Sequence, residues 1–247
     1  NLTRDVIPSS VPYSYGDIYS TNAFYPESIA ELGEPYIIRG LRGQGVIINP
    51  VQYNPVEKIL RVYNKIELSI KESNNTRKTK KNTIKRKQHF LKENNEFRSI
   101  YNNLFINFSS DTRFEYLSDQ GNMLVICYDD FMDSMEPFVL WKNKKGIPTE
   151  IVAVSSIGSS ASQIQEYVNS YYYDNGLTYL LLVGDANQVS THIVGGSASD
   201  PTFGFIEGND AYSEIIVGRF SANNPSQVDT QVQRTLQYEQ DPSAYVN

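Results

Sequence analysis

From Gly121 onward the chain alternates short apolar runs with amphipathic segments, and this alternation limits the folds open to it. Strands joined by helices form right-handed βαβ units, which build a parallel sheet with helices on both faces. The periodicity predicts strands at 123–128, 151–154, 178–183 and 215–217, and helices at 131–145, at 161–172 and from Pro225. We therefore predict an α/β fold for the C-terminal part of the chain.

The predicted helices carry recognisable end signals. Ser160 and Gln163 have the spacing of a capping box. Gly146 and Gly176 stand where a residue in the left-handed conformation would end a helix. Pro137 is compatible with a helix only if the helix begins close to it, because proline lacks the N–H that an interior position donates.

The N-terminal part has a different pattern, typical of antiparallel strands. Residues 36–39, 45–49 and 60–70 are strand candidates, and in the last of these apolar and polar side chains alternate. Such alternation suits a sheet with one solvated face. Residues 1–70 are therefore predicted to form a β-rich domain, whereas residues 94–120 show no clear periodicity.

A basic, Asn-rich connector at 71–93 separates these parts. It contains nine of the 22 Lys and Arg residues but only two of the 28 Asp and Glu residues. The rest of the chain is therefore more acidic than the net charge of −6 indicates, and nucleic acid is a poor partner for it. The connector lacks interleaved aromatic residues, which favours a protease-sensitive tether over a nucleic-acid-binding tail.

The sequence offers no convincing catalytic nucleophile. Its single cysteine, Cys127, lies in the middle of an apolar strand, where thiols are usually inert packing groups, and it excludes an internal disulfide. Nothing in the sequence brings His89 or His192 within hydrogen-bonding reach of that thiol. A Gly-x-Ser-x-Gly nucleophile motif is absent, as is an apolar run long enough to span a membrane.

Carboxylates around two predicted strands form the best candidate site. Asp185 follows one strand, while Asp210 and Glu214 precede the next, and the carbonyls of Glu207 and Tyr212 could turn toward them. Oxygen ligands of this kind suit calcium. The spacing matches no EF-hand loop, and the alternative is that 208–210 forms an ordinary turn with Glu214 solvated.

Several motifs resemble the gingipain-type cysteine peptidase family. Leu177-Thr-Tyr-Leu-Leu-Leu-Val-Gly-Asp185 and Val217-Gly-Arg-Phe220, with 123–127, 138–146, 208–212 and 234–239, are similar to the first half of its catalytic domain. Residues 32–39 and 49–63 resemble the end of its propeptide. The resemblance implies a caspase-like α/β fold preceded by a β-rich propeptide domain, with 71–93 as activation linker and 94–247 as the first catalytic subdomain.

The resemblance also implies a calcium site and a function. The family's calcium ligands correspond to the side chains of Asp185, Asp210 and Glu214 and to the carbonyls of Glu207 and Tyr212. The chain is expected to be the N-terminal part of a secreted or cell-surface cysteine endopeptidase zymogen. Its partners would be the remaining catalytic half, protein or peptide substrates and an outer-membrane secretion machinery.

No catalytic residue of the family has a counterpart here, since its Cys and His lie in the second subdomain. Cys127 does not match the nucleophile, and this chain alone is therefore expected to be inactive. Two alternatives keep the same fold: a non-catalytic surface module for binding or assembly, and a sortase of the secretion system.

Overall fold

The computed structural model describes residues 11–71, 94–108 and 120–241. It divides into two compact units, one comprising Asn1–Pro35 and Gln44–Thr79, the other Tyr36–Gly43 and Lys80–Asn247. His89 and all of the connector beyond Lys71 lie outside the described residues. Within the described ranges, no helix is both long enough and apolar enough to cross a membrane.

The N-terminal part is β-rich, as predicted. Its strands are β1 (Ala30–Ile38), β2 (Leu41–Ile48), β3 (Val51–Asn54) and β4 (Ile59–Val62), paired as β1 with β2 and β3 with β4. The predicted strand at 60–70 is too long. Val62 already pairs with Val51, the first residue of β3, so β3 has no residue left to pair with 64–70.

The second unit contains a four-stranded, fully parallel sheet. Its strands are β5 (Met123–Cys127), β6 (Thr149–Ala153), β7 (Tyr179–Val183) and β10 (Ile216–Phe220), in the order β10-β7-β5-β6. Every residue of the central strand β5 is buried. Such a strand needs helices on both of its faces.

Helices cover both faces of this sheet. They are α2 (Met132–Lys144), the single turn α3 (Val154–Ile157), α4 (Ala161–Asn175) and α5 (Pro225–Gln240). Val125 and Cys127 of β5 belong to the apolar cluster that includes α2 and α5, whereas Leu124 and Ile126 belong to the cluster that includes α4. The α/β fold class, with a parallel sheet flanked by helices, is thereby confirmed.

The helix ends follow the predicted signals, with one exception. Ser160 and Gln163 form a capping box, and Gly176 ends α4 in the left-handed conformation. The expectation for Pro137 is wrong, because α2 begins at Met132, five residues before it. The proline costs α2 only the hydrogen bond to the carbonyl of Asp133, an exposed residue.

Helix α1 (Asn95–Leu104) lies in the segment 94–120, for which no secondary structure was predicted. Asn94 caps it by accepting hydrogen bonds from the N–H groups of Glu96 and Phe97, at 2.8 and 3.1 Å. Phe97 and Tyr101 then pack one turn apart in a cluster with Tyr36 and Ile38. The cap and this four-residue aromatic spacing were signals available in the sequence.

A short hairpin follows β7. It consists of β8 (His192–Val194) and β9 (Ser197–Ser199), and it leads into a 3₁₀ turn at Asp200–Gly204.

Candidate functional site

The predicted calcium ligands lie at opposite edges of the sheet. Tyr179 pairs with Ile216 at the start of β7 and β10, and Val183 pairs with Phe220 at their ends. Asp185 therefore follows the carboxyl edge, while Glu214 precedes the amino edge, with about 13 Å of strand between the edges. The five predicted ligands cannot surround one ion, and Asp185 has to be removed from the set.

Asp185 instead closes the loop after β7. Its Oδ1 accepts hydrogen bonds from the N–H of Ala186 at 2.9 Å and from the hydroxyl of Ser221 at 3.1 Å. Its own N–H donates to the carbonyl of Ala222 at 2.9 Å. These bonds tie the ends of β7 and β10 together.

An ion pair fixes the same carboxyl edge. Arg219 binds both carboxylate oxygens of Asp200, at 2.7 and 2.8 Å, and its Nη1 donates to the carbonyls of Gly184 and Val189 at 2.8 and 2.9 Å. Burial alone would raise the pKa of Asp200, but the hydrogen bonds from Arg219 outweigh it and lower that pKa. One arginine thus joins β10 to the loop after β7 and to the 3₁₀ turn.

Glu214 is the most unusual group at the amino edge. It is 0% exposed, and its Oε2 accepts hydrogen bonds from the N–H groups of Ile206 and Glu207 at 2.8 and 3.0 Å. Its Oε1 has no hydrogen-bond partner among the described residues. Burial, reinforced by the nearby Glu207 and Asp210 carboxylates, raises the pKa of Glu214 to about 7.

Asp210 lies in the same loop. Its Oδ1 accepts a hydrogen bond from the N–H of Tyr212 at 3.0 Å, and its Oδ2 accepts one from the N–H of Ile37 at 2.9 Å. Gly208 has a φ of 74°, and a Cβ there would collide with the Asp210 carboxylate. The loop therefore needs glycine at this position to bring Asp210 close to the backbone.

The acids of this loop form an oxygen-rich site with few carboxylates. In 11–71, 94–108 and 120–241, no three His, Cys, Asp or Glu side chains are arranged to hold a metal. Calcium, however, accepts main-chain carbonyls together with carboxylates. The unpartnered Oε1 of Glu214 is a buried acceptor that such an ion would satisfy, so the loop fits calcium with Asp210 and Glu214 as its acidic ligands.

Arg39 is a buried residue at the amino edge that the sequence did not single out. It is 6% exposed, and its guanidinium donates to the carbonyls of Leu177 at 2.5 Å and Glu214 at 3.0 Å. It also donates to Thr178 Oγ1 at 3.0 Å and to the carbonyl of Gly176 at 3.5 Å. Burial is the main cause that lowers the pKa of this arginine.

Cys127 and His192 do not form a catalytic pair. The thiol is 0% exposed among residues that face α2 and α5, and burial, together with Asp129, raises its pKa to about 12. His192 instead lies 3.1 Å from Gln165 Oε1 of α4. The sheet therefore separates the two side chains, as expected for a thiol that only packs.

Comparison with known proteins identifies both parts of the chain. The family model for Peptidase family C25 matches residues 116–247, and the Propeptide_C25 model matches residues 2–105. The propeptide match thus extends through α1. Gingipain R2 of Porphyromonas gingivalis (strain ATCC BAA-308 / W83) is 38% identical over 96% of this chain and 32% of its own length.

A more distant relative is Lys-gingipain of Porphyromonas gingivalis (strain ATCC 33277), which is 23% identical over 97% of this chain and 14% of its own length. The chain therefore spans about a third of gingipain R2 and less of Lys-gingipain.

Among solved structures, the complex of Porphyromonas gingivalis RgpB pro- and mature domains is 40% identical, covers 48% of this chain and 29% of that chain, and has a TM-score of 0.47. The crystal structure of the Arg-specific cysteine proteinase gingipain R is 38% identical over 49% of this chain and 29% of that chain, also with a TM-score of 0.47. Since the peptidase family model alone matches more than half of the sequence, the chain belongs to peptidase family C25, the gingipain-type cysteine peptidases.

Proposed function

We propose that this chain is the N-terminal part of the precursor of a secreted gingipain-like cysteine endopeptidase. The observation that supports this most directly is the order of the two family matches, propeptide at 2–105 and peptidase at 116–247, within one polypeptide. In this proposal the first match is the inhibitory propeptide of a zymogen and the second is the first catalytic subdomain.

The catalytic Cys and His are proposed to lie in the later part of the precursor. Cysteine peptidases need a thiolate to attack the scissile carbonyl and a neighbouring His to activate it. Cys127 fails this requirement because its pKa of about 12 keeps the buried thiol protonated at neutral pH. The chain contributes the sheet and its loops, and the remaining catalytic half is its partner.

The carboxyl edge of the sheet is proposed to border the active site of the whole enzyme. Ligands of open parallel sheets bind beyond the carboxyl ends of the strands. Here the loop after β7 is held by Asp185 and by two hydrogen bonds from Arg219, whose other two bind Asp200 in the 3₁₀ turn. In this proposal the chain's own residues keep that edge rigid for the nucleophile-bearing half and for the protein or peptide substrate.

Calcium is proposed to bind the loop at the amino edge. Asp210 and Glu214 would supply carboxylate oxygens, and Glu207 and Tyr212 would supply main-chain carbonyls, whereas Asp185 takes no part. A bound calcium ion supplies positive charge that offsets the cost of the buried Glu214 carboxylate. The role is structural: it fixes 207–214 in front of β10.

The proposed location is outside the cell or on its surface, reached through an outer-membrane secretion machinery. Membership of the gingipain-type family supports this location, and the acidic body of the chain argues against nucleic acid as a partner.

The test is a peptidase assay on two proteins: this chain alone, and the product of its complete natural reading frame after activation. Arg- and Lys-containing peptides serve as substrates. We expect hydrolysis only by the longer protein, and we expect Cys127→Ala to leave that activity unchanged. Turnover by the 247-residue chain that Cys127→Ala abolishes would refute the assignment.

A further inference from the structure

Residues 36–43 pack against the sheet-bearing part of the second unit. Tyr36 and Ile38 are buried with Phe97 and Tyr101 of α1, and the Tyr36 ring stacks on Tyr212 with centroids 3.9 Å apart. Arg39 and Gly40 form the turn between β1 and β2, with φ values of 39° and 81°. This tip, defined as residues 36–43, belongs to the propeptide family match, whereas Tyr212 belongs to the peptidase match.

The Arg39 guanidinium occupies a socket built by the peptidase part. Its acceptors are the carbonyls of Gly176, Leu177 and Glu214 and the hydroxyl of Thr178. Gly176 directly follows α4. The C-terminal end of a helix carries partial negative charge, so this position favours a buried cation.

Two aromatic residues of α1, a helix inside the propeptide match, complete the enclosure. The Arg39 guanidinium carbon lies 4.7 Å from the centre of the Phe97 ring. Tyr101 donates its hydroxyl hydrogen to the Arg39 carbonyl at 3.0 Å. The first contact is of the cation–π kind, and the second fixes the backbone of a residue whose left-handed φ is unfavourable for a side chain other than glycine.

The socket's geometry selects arginine over lysine. Arg39 Nη1 donates to two carbonyls from different segments while Nη2 reaches Thr178 Oγ1. A planar, forked guanidinium can make these bonds together and still lie over an aromatic ring, whereas an ammonium group is a compact point charge. A lysine would leave buried carbonyls unpaired.

We propose that this socket is a guanidinium-binding site on the peptidase part, and that it anchors the propeptide through Arg39. The socket lies at the amino edge of the sheet, where β7 and β10 begin. Its occupant is the arginine at the tip of the β1–β2 hairpin of the same chain. Reading that hairpin as an inhibitory propeptide rests on the proposed function, but the anchoring contact itself does not.

The contact also reaches the loop that precedes β10. Arg39 binds the carbonyl of Glu214, and the N–H of Ile37 binds the Asp210 carboxylate at 2.9 Å. The tip therefore holds both ends of the loop segment 210–214. The proposed anchor consequently orders this loop before the propeptide leaves.

The test uses the full 247-residue chain with a site-specific protease site inserted between Ser109 and Ser110, so that α1 stays with the propeptide fragment. After the cut, a fluorophore at the N terminus reports by anisotropy how strongly the two fragments stay associated on dilution. We expect Arg39→Ala to raise the dissociation constant about 30-fold or more, as for truncation of a buried anchor. We expect Arg39→Lys to raise it about 10-fold, because the charge is kept but the fork is lost.

Arg61→Ala is the matched control, since Arg61 is an exposed arginine of the same fragment whose guanidinium lies over Phe24. It should leave the dissociation constant within twofold of wild type. Thr178→Val probes the socket from the other side and should weaken association about threefold in the wild-type chain but not in the Arg39→Ala chain.

Three results would overturn the proposal: an Arg39→Lys chain that binds within twofold of wild type, an Arg61→Ala effect as large as that of Arg39→Ala, or a Thr178→Val effect equal in both backgrounds. Should Arg39→Ala not fold, Arg39→Lys still decides the question and replaces it as the second background for Thr178→Val. The readout is the association of the two fragments and does not depend on catalysis. A negative peptidase assay would therefore leave the Arg39 anchor standing, and a negative association assay would leave the proposed function standing.

Discussion

The two edges of the parallel sheet hold buried charge in different ways. At the carboxyl edge, Arg219 and Asp200 neutralise each other in a two-pronged ion pair, and Arg219 also satisfies two carbonyls. At the amino edge, one carboxylate oxygen of Glu214 has no hydrogen-bond partner among the described residues, and Arg39 is buried against neutral acceptors. Among the described residues, the Arg219–Asp200 pair at the carboxyl edge is neutralised, whereas the Glu214 carboxylate at the amino edge has acceptor capacity left for a cation.

This difference suits the carboxyl edge to holding loops in place and the amino edge to binding a cation. A completed ion pair gains nothing from a ligand, so it serves to fix the loops beside it. A buried carboxylate with a free oxygen is costly until a cation or a proton reaches it. Acidic residues that flank neighbouring strands can look like one site in a sequence. Because β7 and β10 run parallel, the Arg219–Asp200 pair and the Glu214 carboxylate instead lie at opposite edges of the sheet.

Replacing Arg219 with Met should give the largest effect, because it breaks the completed edge. Asp200 would lose its counter-ion and two carbonyls would lose their donor, which should lower the free energy of unfolding by about 3 kcal/mol or more. Urea denaturation of the 247-residue chain measures this. Arg234→Met, on the exposed side of α5, is the control and should change stability by about 0.5 kcal/mol or less. Equal effects of the two substitutions would contradict the role given to Arg219.

Calcium removal sharpens the contrast between the edges directly. At a calcium concentration about 100 times the dissociation constant, the ion should stabilise the wild-type chain by about 2.7 kcal/mol. Thermal unfolding with calcium and with chelator measures this difference. Glu214→Gln should abolish it, while Asp185→Asn should leave it unchanged because that carboxylate lies at the other edge. A loss of calcium stabilisation in the Asp185 variant would disprove the assignment.

Glu239 offers a smaller test, since it is a partly buried acid whose charge is satisfied by Lys142 and Lys145. Burial would raise its pKa, but hydrogen bonds from Lys142, Lys145 and Trp141 outweigh this and lower the pKa to about 2. A depressed pKa stabilises the fold above about pH 4.5, and this contribution is lost as the pH falls toward 2.

Glu239→Gln should therefore cost about 2 kcal/mol at pH 7, and the difference from wild type should shrink to near zero around pH 2. Unfolding free energies measured across that pH range give the result. A difference that stays constant with pH would show that the glutamate charge is not responsible.

Much of the fold could be predicted because its signals are local. The strands β5 and β7 are short apolar runs, and the ends of α4 are specified by Ser160, Gln163 and Gly176 within a turn of the helix. The burial of Cys127 followed from the apolar run to which it belongs, although Cys127 is the last residue of β5 and not in the middle of the strand. These features depend on residues close in sequence, so a single chain without structural data reveals them.

The parts that could not be predicted depend on distant pairing. Asp185 and Glu214 belong to opposite edges only because β7 and β10 pair in parallel register. Arg39 meets Leu177 across 138 positions and Glu214 across 175. No periodicity connects such residues, and Arg39 looked like an ordinary strand-end arginine in the sequence.

Three of the four groups that accept hydrogen bonds from the Arg39 guanidinium are peptide carbonyls, which every amino acid has. Exchanging Leu177 or Glu214 for another residue alters a side chain but leaves the accepting oxygen where the backbone path puts it. Recognition on this side can therefore persist while the sequence of the peptidase part changes, and mutations that tune the interaction have to arise mainly at position 39. A substitution of Arg39 consequently removes the contact, whereas most substitutions on the peptidase side leave it in place.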